Sequence, residues 1–119
     1  MKKKIAVIDT DEKQCRELCD ILQERQYRAI PMHSLEGMES YVHDSSFEAV
    51  IMDINTVPVD NQAIKGLTKK YPHSFLFFLS KDRFHPHLEE ALRDHIFACI
   101  NKPIDLKELF YYLRAIERD

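Results

Sequence analysis

Short apolar runs alternate along this chain with segments in which apolar residues recur every three or four positions. The runs have the length of buried β-strands, and they cover residues 4–8, 27–31, 49–52, 75–79 and 96–100. The segments between them have the period of amphipathic helices, and in the first segment one face carries Cys15, Leu18, Cys19 and Leu22. The pattern therefore predicts five strand–helix units in succession.

Caps and stops mark the ends of the predicted helices. Asp11 is placed to cap a helix over 12–25, with Gln14 as the third residue of a capping box. Ser34 opens the second helix, Pro72 stops the third, the fourth covers about 86–94, and Asp105 caps the last. The inner faces of helices two to five are predicted to carry Leu35, Met38, Tyr41 and Val42; Ile64, Leu67 and Tyr71; Leu88, Ala91 and Leu92; and Leu106, Leu109, Phe110 and Leu113.

Unbroken apolar strands are typical of a parallel sheet that is covered by helices on both faces. Right-handed crossovers between such strands predict a flavodoxin-like, doubly wound α/β fold. We expect a (βα)5 domain with a central five-stranded parallel sheet in the order 2-1-3-4-5. The 119 residues are expected to form this one domain, residues 1–119, without a linker, an internal repeat or an output domain.

Composition narrows the classes of function. A net charge of −3 and a pI of about 6.1 argue against direct nucleic-acid binding, which favours a basic face. No apolar stretch approaches the roughly 18 residues of a membrane helix. Three cysteines without a signal peptide predict reduced thiols in a cytoplasm, and Cys15 and Cys19 are interpreted as core residues rather than metal ligands.

Polar side chains end four of the predicted strands. Asp9 and Asp53 each follow an apolar run directly, Ser80 follows another, and Lys102 comes shortly after the last. Ligands bind at the carboxyl ends of strands in open parallel sheets. Two acids, a hydroxyl and a lysine meeting there can hold a phosphoryl group and a divalent metal. The two glycines lie outside any GxGxxG or P-loop pattern, which argues against dinucleotide and P-loop sites.

With these polar residues in this order at the strand ends, the whole chain resembles the CheY-like receiver domain of two-component response regulators. The residues that carry the resemblance are the acidic stretch at 9–12, Asp53, Ser80 and the pair Lys102-Pro103. The resemblance implies that Asp53 is the phosphoacceptor and that Ser80 and Lys102 assist the transfer.

The resemblance also implies a cofactor and partners. Mg²⁺ would be bound by Asp9, Asp53 and the backbone carbonyl of Asn55. The phosphoryl group would come from a sensor histidine kinase or a phosphotransfer protein. The signal would leave through the fourth helix, fifth strand and fifth helix to a downstream protein, a tethered output domain or a second copy. Such a domain is not an enzyme beyond its own phosphorylation and dephosphorylation, and it contacts neither nucleic acid nor membrane.

Of the residues that depart from the family pattern, three bear directly on function. Thr10 stands where the family has a second acid, so that either Thr10 or Asp11 becomes a candidate for the vacant metal-ligand role. Lys81 replaces a small residue, and Cys99 replaces the aromatic switch residue three places before the lysine. These departures leave open an alternative function, a pseudo-receiver that works as a protein-interaction module without phosphorylation. A flavin or small-ligand protein is a second alternative, disfavoured by the glycine-poor loops.

Several of these residues also have purely structural interpretations. Lys102 can form a structural ion pair with Asp53, and Ser80 can cap a turn. His85 and His87 have the spacing of metal ligands, but two exposed histidines at a helix start are the simpler expectation. Phe84 belongs either to the partner-binding face or to a buried staple.

Overall fold

The computed structural model describes residues 3–41 and 47–117. Strands and helices alternate along the described chain as the apolar pattern predicts. In chain order the elements are β1 (Lys3–Ile8), α1 (Glu12–Glu24), β2 (Tyr27–Met32), α2 (Leu35–Glu39), β3 (Ala49–Asp53), α3 (Asn61–Lys70), β4 (Phe75–Ser80), a 3-10 turn (Pro86–Leu88) that leads into α4 (Glu89–Asp94), β5 (Ile96–Asn101) and α5 (Leu106–Ile116).

The strands form one parallel sheet in the order β2-β1-β3-β4-β5, which confirms the predicted fold class and strand order. Strands β1 and β3 are neighbours in the middle of the sheet, where Ile8 pairs with Met52. Asp9 and Asp53 each come one residue after this pair, so they reach the carboxyl edge side by side. On the other side of β3, Asp53 pairs with Leu79, and Ser80 pairs with Asn101 of β5.

Each face of the sheet has its own hydrophobic core because alternate residues of a strand point to opposite faces. In β1, Ile5 and Val7 belong to the core under α1 and α5, whereas Ala6 and Ile8 belong to the core under α2, α3 and α4. The four residues predicted for the inner face of α1 are all buried, as are Ile64 and Leu67 of α3. Both faces are therefore covered, as the unbroken apolar strands predict.

The two edge strands are exceptions to this burial: on β2, Arg28 and Pro31 are exposed, and β5 is also open in part. The prediction that residues 96–100 form a buried strand is only partly right, since Phe97 is 42% exposed and Cys99 is also exposed. An edge strand has a neighbour on one side only, so its side chains are less completely covered. The register also shifts between Leu76 and Phe77 of β4, where Ile96 and Ala98 are the successive partners.

The helices differ from the predictions in three places. Leu106 was predicted to face inward but is 38% exposed at the start of α5, and Ile116 is buried instead. Helix α2 ends before Tyr41, which is half-buried beyond it, and Val42 lies outside the described residues. The predicted fourth helix divides into a 3-10 turn, with Pro86 at its first position, and a short α-helix. No helix in the described ranges is long and apolar enough to cross a membrane.

Candidate functional site

Two carboxylates lie buried at the centre of the carboxyl edge. Asp9 is 2% exposed and Asp53 is 1% exposed. A buried carboxylate is stable only if its oxygens accept hydrogen bonds or face a cation. The partners of these two side chains therefore define the site.

The loop after β3 binds one oxygen of each carboxylate. The backbone N–H groups of Asn55 and Thr56 donate to Asp53 Oδ1 at 2.8 and 3.2 Å. The hydroxyl of Thr56 donates to Asp9 Oδ1 at 2.9 Å, and the backbone N–H of Asp11 donates to the same oxygen at 2.9 Å. The Oδ1 atoms of both acids are thus held by nearby backbone and by Thr56.

Lys102 binds the other oxygen of Asp53. Its Nζ lies 2.5 Å from Asp53 Oδ2, and the lysine side chain is only 10% exposed. The backbone N–H of Lys102 donates to the carbonyl of Ser80 at 2.9 Å, which fixes the segment after β5 against the end of β4. The structural ion pair considered from the sequence is therefore present.

Gln14 occupies the space between the two acids. Its Nε2 donates to Asp9 Oδ2 at 2.5 Å and to Asp53 Oδ2 at 2.7 Å, while its Oε1 accepts from Lys102 Nζ at 3.5 Å. The predicted capping box is wrong at this residue. Asp11 does cap α1, because its side chain accepts from the backbone N–H of Gln14, but the Gln14 side chain reaches into the site instead of back to the cap.

Gln14 and Thr56 are the two site residues to which the sequence analysis gave no role in the site. Gln14 lies in the first turn of α1, directly after the acidic stretch, where a long side chain can turn towards the strand ends. Thr56 lies three residues after Asp53. Both positions are close in sequence to the predicted acids, which is the signal that could have identified them.

Thr10 and Asp11, the candidates for the role of the missing acid, are both engaged elsewhere. Thr10 is exposed, and its hydroxyl donates to the backbone carbonyl of Thr56 at 3.2 Å. The Asp11 carboxylate accepts from the first turn of α1 at 3.0 Å. A role for either side chain as a metal ligand stays a prediction.

Ser80 and Lys81 follow β4 beside the acids. Ser80 is fully buried, and its hydroxyl accepts from the backbone N–H of Asp82 at 3.0 Å, as the turn-capping interpretation expects. Lys81 is exposed, and its backbone N–H donates to the side-chain carbonyl of Asn55 at 2.8 Å. An open cavity of about 440 Å³ adjoins the site here, lined by Gln14, Lys81, Lys102, Pro103 and Ile104.

The carboxylate and carbonyl oxygens at this edge provide part of the ligand set of a hard divalent cation. Carboxylate and carbonyl oxygens are the ligands that Mg²⁺ prefers, and it keeps several waters. Asp9 and Asp53 direct their Oδ2 atoms at a single nitrogen of Gln14, so both oxygens face one shared position. Residues 3–41 and 47–117 contain no group of three or more His, Cys, Asp or Glu side chains placed for a metal.

The histidine pair and Phe84 have different surroundings from those expected. His85 is 9% exposed and its Nε2 lies 3.0 Å from the carbonyl of Asp82, so the expectation of two exposed histidines is wrong for His85. His87 is exposed, and the two rings are 6.4 Å apart. Phe84 is 87% exposed, which excludes the buried staple.

The cysteines divide between core and surface. Cys15 and Cys19 are buried under β1, as predicted, and Cys99 is exposed on β5. Burial raises the pKa of Cys19 to about 12, and the neighbouring Cys15 thiol adds to the shift. Burial also raises the pKa of Cys15. Both helix thiols are therefore protonated at neutral pH and serve as small apolar residues.

No protein-family model and no curated protein matches the sequence of this chain. Solved structures do match its fold. A two-component response regulator from Clostridium difficile has a TM-score of 0.85 at 19% identity, over 98% of this chain and 97% of that chain. The receiver domain of HemR from Leptospira biflexa has a TM-score of 0.81 at 19% identity, over 99% and 96% of the two chains.

A chemotaxis response regulator from Vibrio cholerae matches with a TM-score of 0.80 at 16% identity, over 98% of this chain and 99% of that chain. At these identities the likeness establishes the fold and leaves the chemistry to the residues of this chain. Many of the structural neighbours are CheY-like response regulator receiver domains, and the resemblance inferred from the motifs is confirmed at the level of the fold. The chain has the doubly wound fold of CheY-like receiver domains.

Proposed function

We propose that this domain is a response-regulator receiver that accepts a phosphoryl group on Asp53. The observation that supports this most strongly is the environment of the Asp53 carboxylate. Two backbone N–H groups fix its Oδ1, while Lys102 lies against its Oδ2 at the carboxyl edge of the sheet. One oxygen is thereby oriented, and the other is placed beside a cation.

The chemistry of such a transfer needs little more than this arrangement. An oxygen of the Asp53 carboxylate attacks the phosphorus of a phosphohistidine or a small phosphodonor. The new O–P bond forms as the bond to the donor breaks, which leaves an acyl phosphate. Phosphoryl transfer depends on positioning and charge neutralisation. Lys102 would neutralise part of the charge on the transferred group.

Magnesium fits this proposal through Asp9, Asp53 and the backbone carbonyl of Asn55. The ion would supply further positive charge to the phosphoryl oxygens. The uncharged Thr10 adds no carboxylate, so we expect weak affinity. Thr10→Asp should therefore tighten Mg²⁺ binding.

The proposed output begins at Ser80. Its hydroxyl now caps the following turn through Asp82, and rotation toward a phosphoryl oxygen would release that bond. The α4-β5-α5 face, defined here by exposed Phe97, Cys99 and Tyr111, is the proposed contact for a downstream protein, a tethered output domain or a second copy. The proposed phosphodonor is a histidine kinase or phosphotransfer protein in the cytoplasm.

Incubation with Mg²⁺ and acetyl phosphate, followed by intact mass measurement, tests the proposal. The wild-type protein should gain the mass of one phosphoryl group, and Asp53→Asn should lose that gain. Asp60→Asn is the matched control, because Asp60 caps α3 with its side chain and asparagine caps a helix equally well. Retention of the mass gain in Asp53→Asn would reject Asp53 as the acceptor.

A second function is favoured by the contacts of Asp53 Oδ2. Both Gln14 and Lys102 bind this oxygen, and two backbone N–H groups bind Oδ1, so both oxygens of the carboxylate are already satisfied. A pseudo-receiver that binds partners without phosphorylation needs only such a stable arrangement. Absence of any mass gain in the wild-type protein, with the fold intact, would make this the better function.

A further inference from the structure

We propose that Gln14 is a built-in competitor for the divalent cation. Its carboxamide bridges Asp9 and Asp53 when no metal is bound, and it must leave this position before a cation can bind both acids. One residue of α1 would thus control the metal site, a role that rests on the proposed function.

The hydrogen bonds around the acids leave one shared position. The Oδ1 atoms of Asp9 and Asp53 accept from Thr56, from Asn55 and from the backbone N–H of Asp11. Both Oδ2 atoms accept from Gln14 Nε2. A cation shared by the two carboxylates would need the same Oδ2 atoms, so it and the Gln14 amide compete for one place.

The chemistry of the amide fixes its orientation. Ionised carboxylates only accept hydrogen bonds, and an ammonium group only donates them. The two hydrogens of Gln14 Nε2 therefore face Asp9 and Asp53, and Oε1 faces Lys102. In the opposite orientation Oε1 would face both acids and the NH2 group would face the lysine. The bridge thus has one stable form, which uses both hydrogens of the amide.

The side chain of Gln14 has space to move into. It lines the open cavity of about 440 Å³, together with Lys81 and Lys102. The backbone of Gln14 is meanwhile held by the cap from Asp11. Rotation of the side chain into the cavity would therefore free Asp9 Oδ2, and leave Asp53 Oδ2 bonded to Lys102, without any change in α1.

A bridge of this kind has two measurable consequences. It stabilises the metal-free domain, because the buried acids are separated by a donor. It also weakens cation affinity, because the two bonds must break first. We expect removal of the amide to tighten cation binding about tenfold, the factor that corresponds to roughly 1.4 kcal/mol.

Mn²⁺ titration followed by NMR tests this, with line broadening of backbone amides near the site giving a Kd for each protein. The variants are Gln14→Ala and Gln14→Met; methionine keeps most of the side-chain volume, so it also serves if the alanine variant folds poorly. Gln23→Ala is the matched control, since Gln23 is an exposed glutamine of the same helix. We expect both Gln14 variants to bind Mn²⁺ about tenfold tighter than wild type, the control to match wild type, and the Tm of the metal-free Gln14 variants to fall.

Equal Mn²⁺ affinity in wild type and both Gln14 variants would overturn the proposal. A second readout in the wild type is the side-chain NH2 signal of Gln14, which should shift on addition of Mg²⁺ as the bridge opens. An unchanged signal at saturating Mg²⁺ would also overturn it. Phosphorylation is scored separately by mass: tighter Mn²⁺ binding without any mass gain rejects the proposed function alone, and a mass gain on Asp53 with equal affinities rejects the bridge alone.

Discussion

The two halves of the carboxyl edge differ in how their polar side chains are held. At the ends of β1 and β3, hydrogen bonds join residues far apart in sequence, such as Thr56 to Asp9 and Gln14 to Asp53. At the end of β4 the buried hydroxyl of Ser80 is bound only two residues away, to the N–H of Asp82. Long-range bonds therefore add to the local bonds of the two carboxylates, whereas the Ser80 hydroxyl has a local bond.

This difference indicates where a conformational change can occur at low cost. Segments with exposed side chains and local hydrogen bonds open more easily than segments tied into the core. Phe84 and Lys81 are exposed in the loop after β4, and Phe97 and Cys99 are exposed on the adjacent edge strand. A change in charge at Asp9 and Asp53 is therefore expected to move the segment after β4. Lys102, bonded to Asp53 and Ser80, and Asn55, bonded to the N–H of Lys81, connect the two halves.

Lys102→Met should have the largest effect on the free energy of unfolding. It leaves the buried Asp53 carboxylate beside Asp9 without its cation, and removal of one partner from a buried pair costs about 3–5 kcal/mol. Urea unfolding should show a fall of this size in the free energy of unfolding. Lys81→Met, at an exposed lysine of the same edge, should change it by less than about 0.5 kcal/mol. Equal effects of the two substitutions would mean that the acids do not depend on Lys102.

Thr56→Val removes the long-range contact between Thr56 and Asp9, and it should have a smaller effect on the free energy of unfolding. Valine keeps the branched shape but removes the hydroxyl that donates to Asp9 Oδ1. Loss of a hydrogen bond to a charged group should lower the free energy of unfolding by about 1.5–3 kcal/mol.

Thr68→Val is the control for this substitution. The Thr68 hydroxyl donates to the carbonyl of Lys65 in its own helix, so that its loss should cost less than about 0.5 kcal/mol. If Thr56→Val lowered the free energy of unfolding as little as the control does, this contact would not hold the ends of β1 and β3 together.

The same contrast explains what the sequence predicts well. Strands and helices follow from apolar periodicity, and buried residues such as Ile8 and Met52 lie at their expected positions. The ends of the strands follow from the fold, so the sequence predicts that Asp9, Asp53 and Lys102 lie together. Each of these inferences depends only on the backbone path.

Side-chain direction at the site could not be predicted in this way. Gln14 matches the capping-box spacing, in which its side chain would accept from the N–H of Asp11. Periodicity cannot show that the Gln14 amide donates to two buried acids instead. The exposure of Leu106 and Cys99 depends similarly on which neighbours cover them. Burial at a helix start or on an edge strand is set by tertiary packing, for which one sequence carries little signal.

Cys99→Tyr should have the smallest effect on the free energy of unfolding, and it tests the half of the edge at β4 and β5. At a buried site this substitution would cost the roughly 1–3 kcal/mol of an overpacked core. Cys99 is exposed on the edge strand, and tyrosine favours strands. We therefore expect the free energy of unfolding in urea to change by less than about 0.5 kcal/mol.

Ala98→Tyr, one residue earlier on the same strand, is the matched comparison. Ala98 is half-buried against the core under α1 and α5, so that the larger ring must displace packed neighbours there. Its free energy of unfolding should fall by the roughly 1–3 kcal/mol typical of overpacking. Similar losses at Cys99 and Ala98 would mean that both faces of the edge strand are packed. The edge at β4 and β5 would then be packed as closely as the edge at β1 and β3, and the loop after Ser80 would be no freer to move than the acids are.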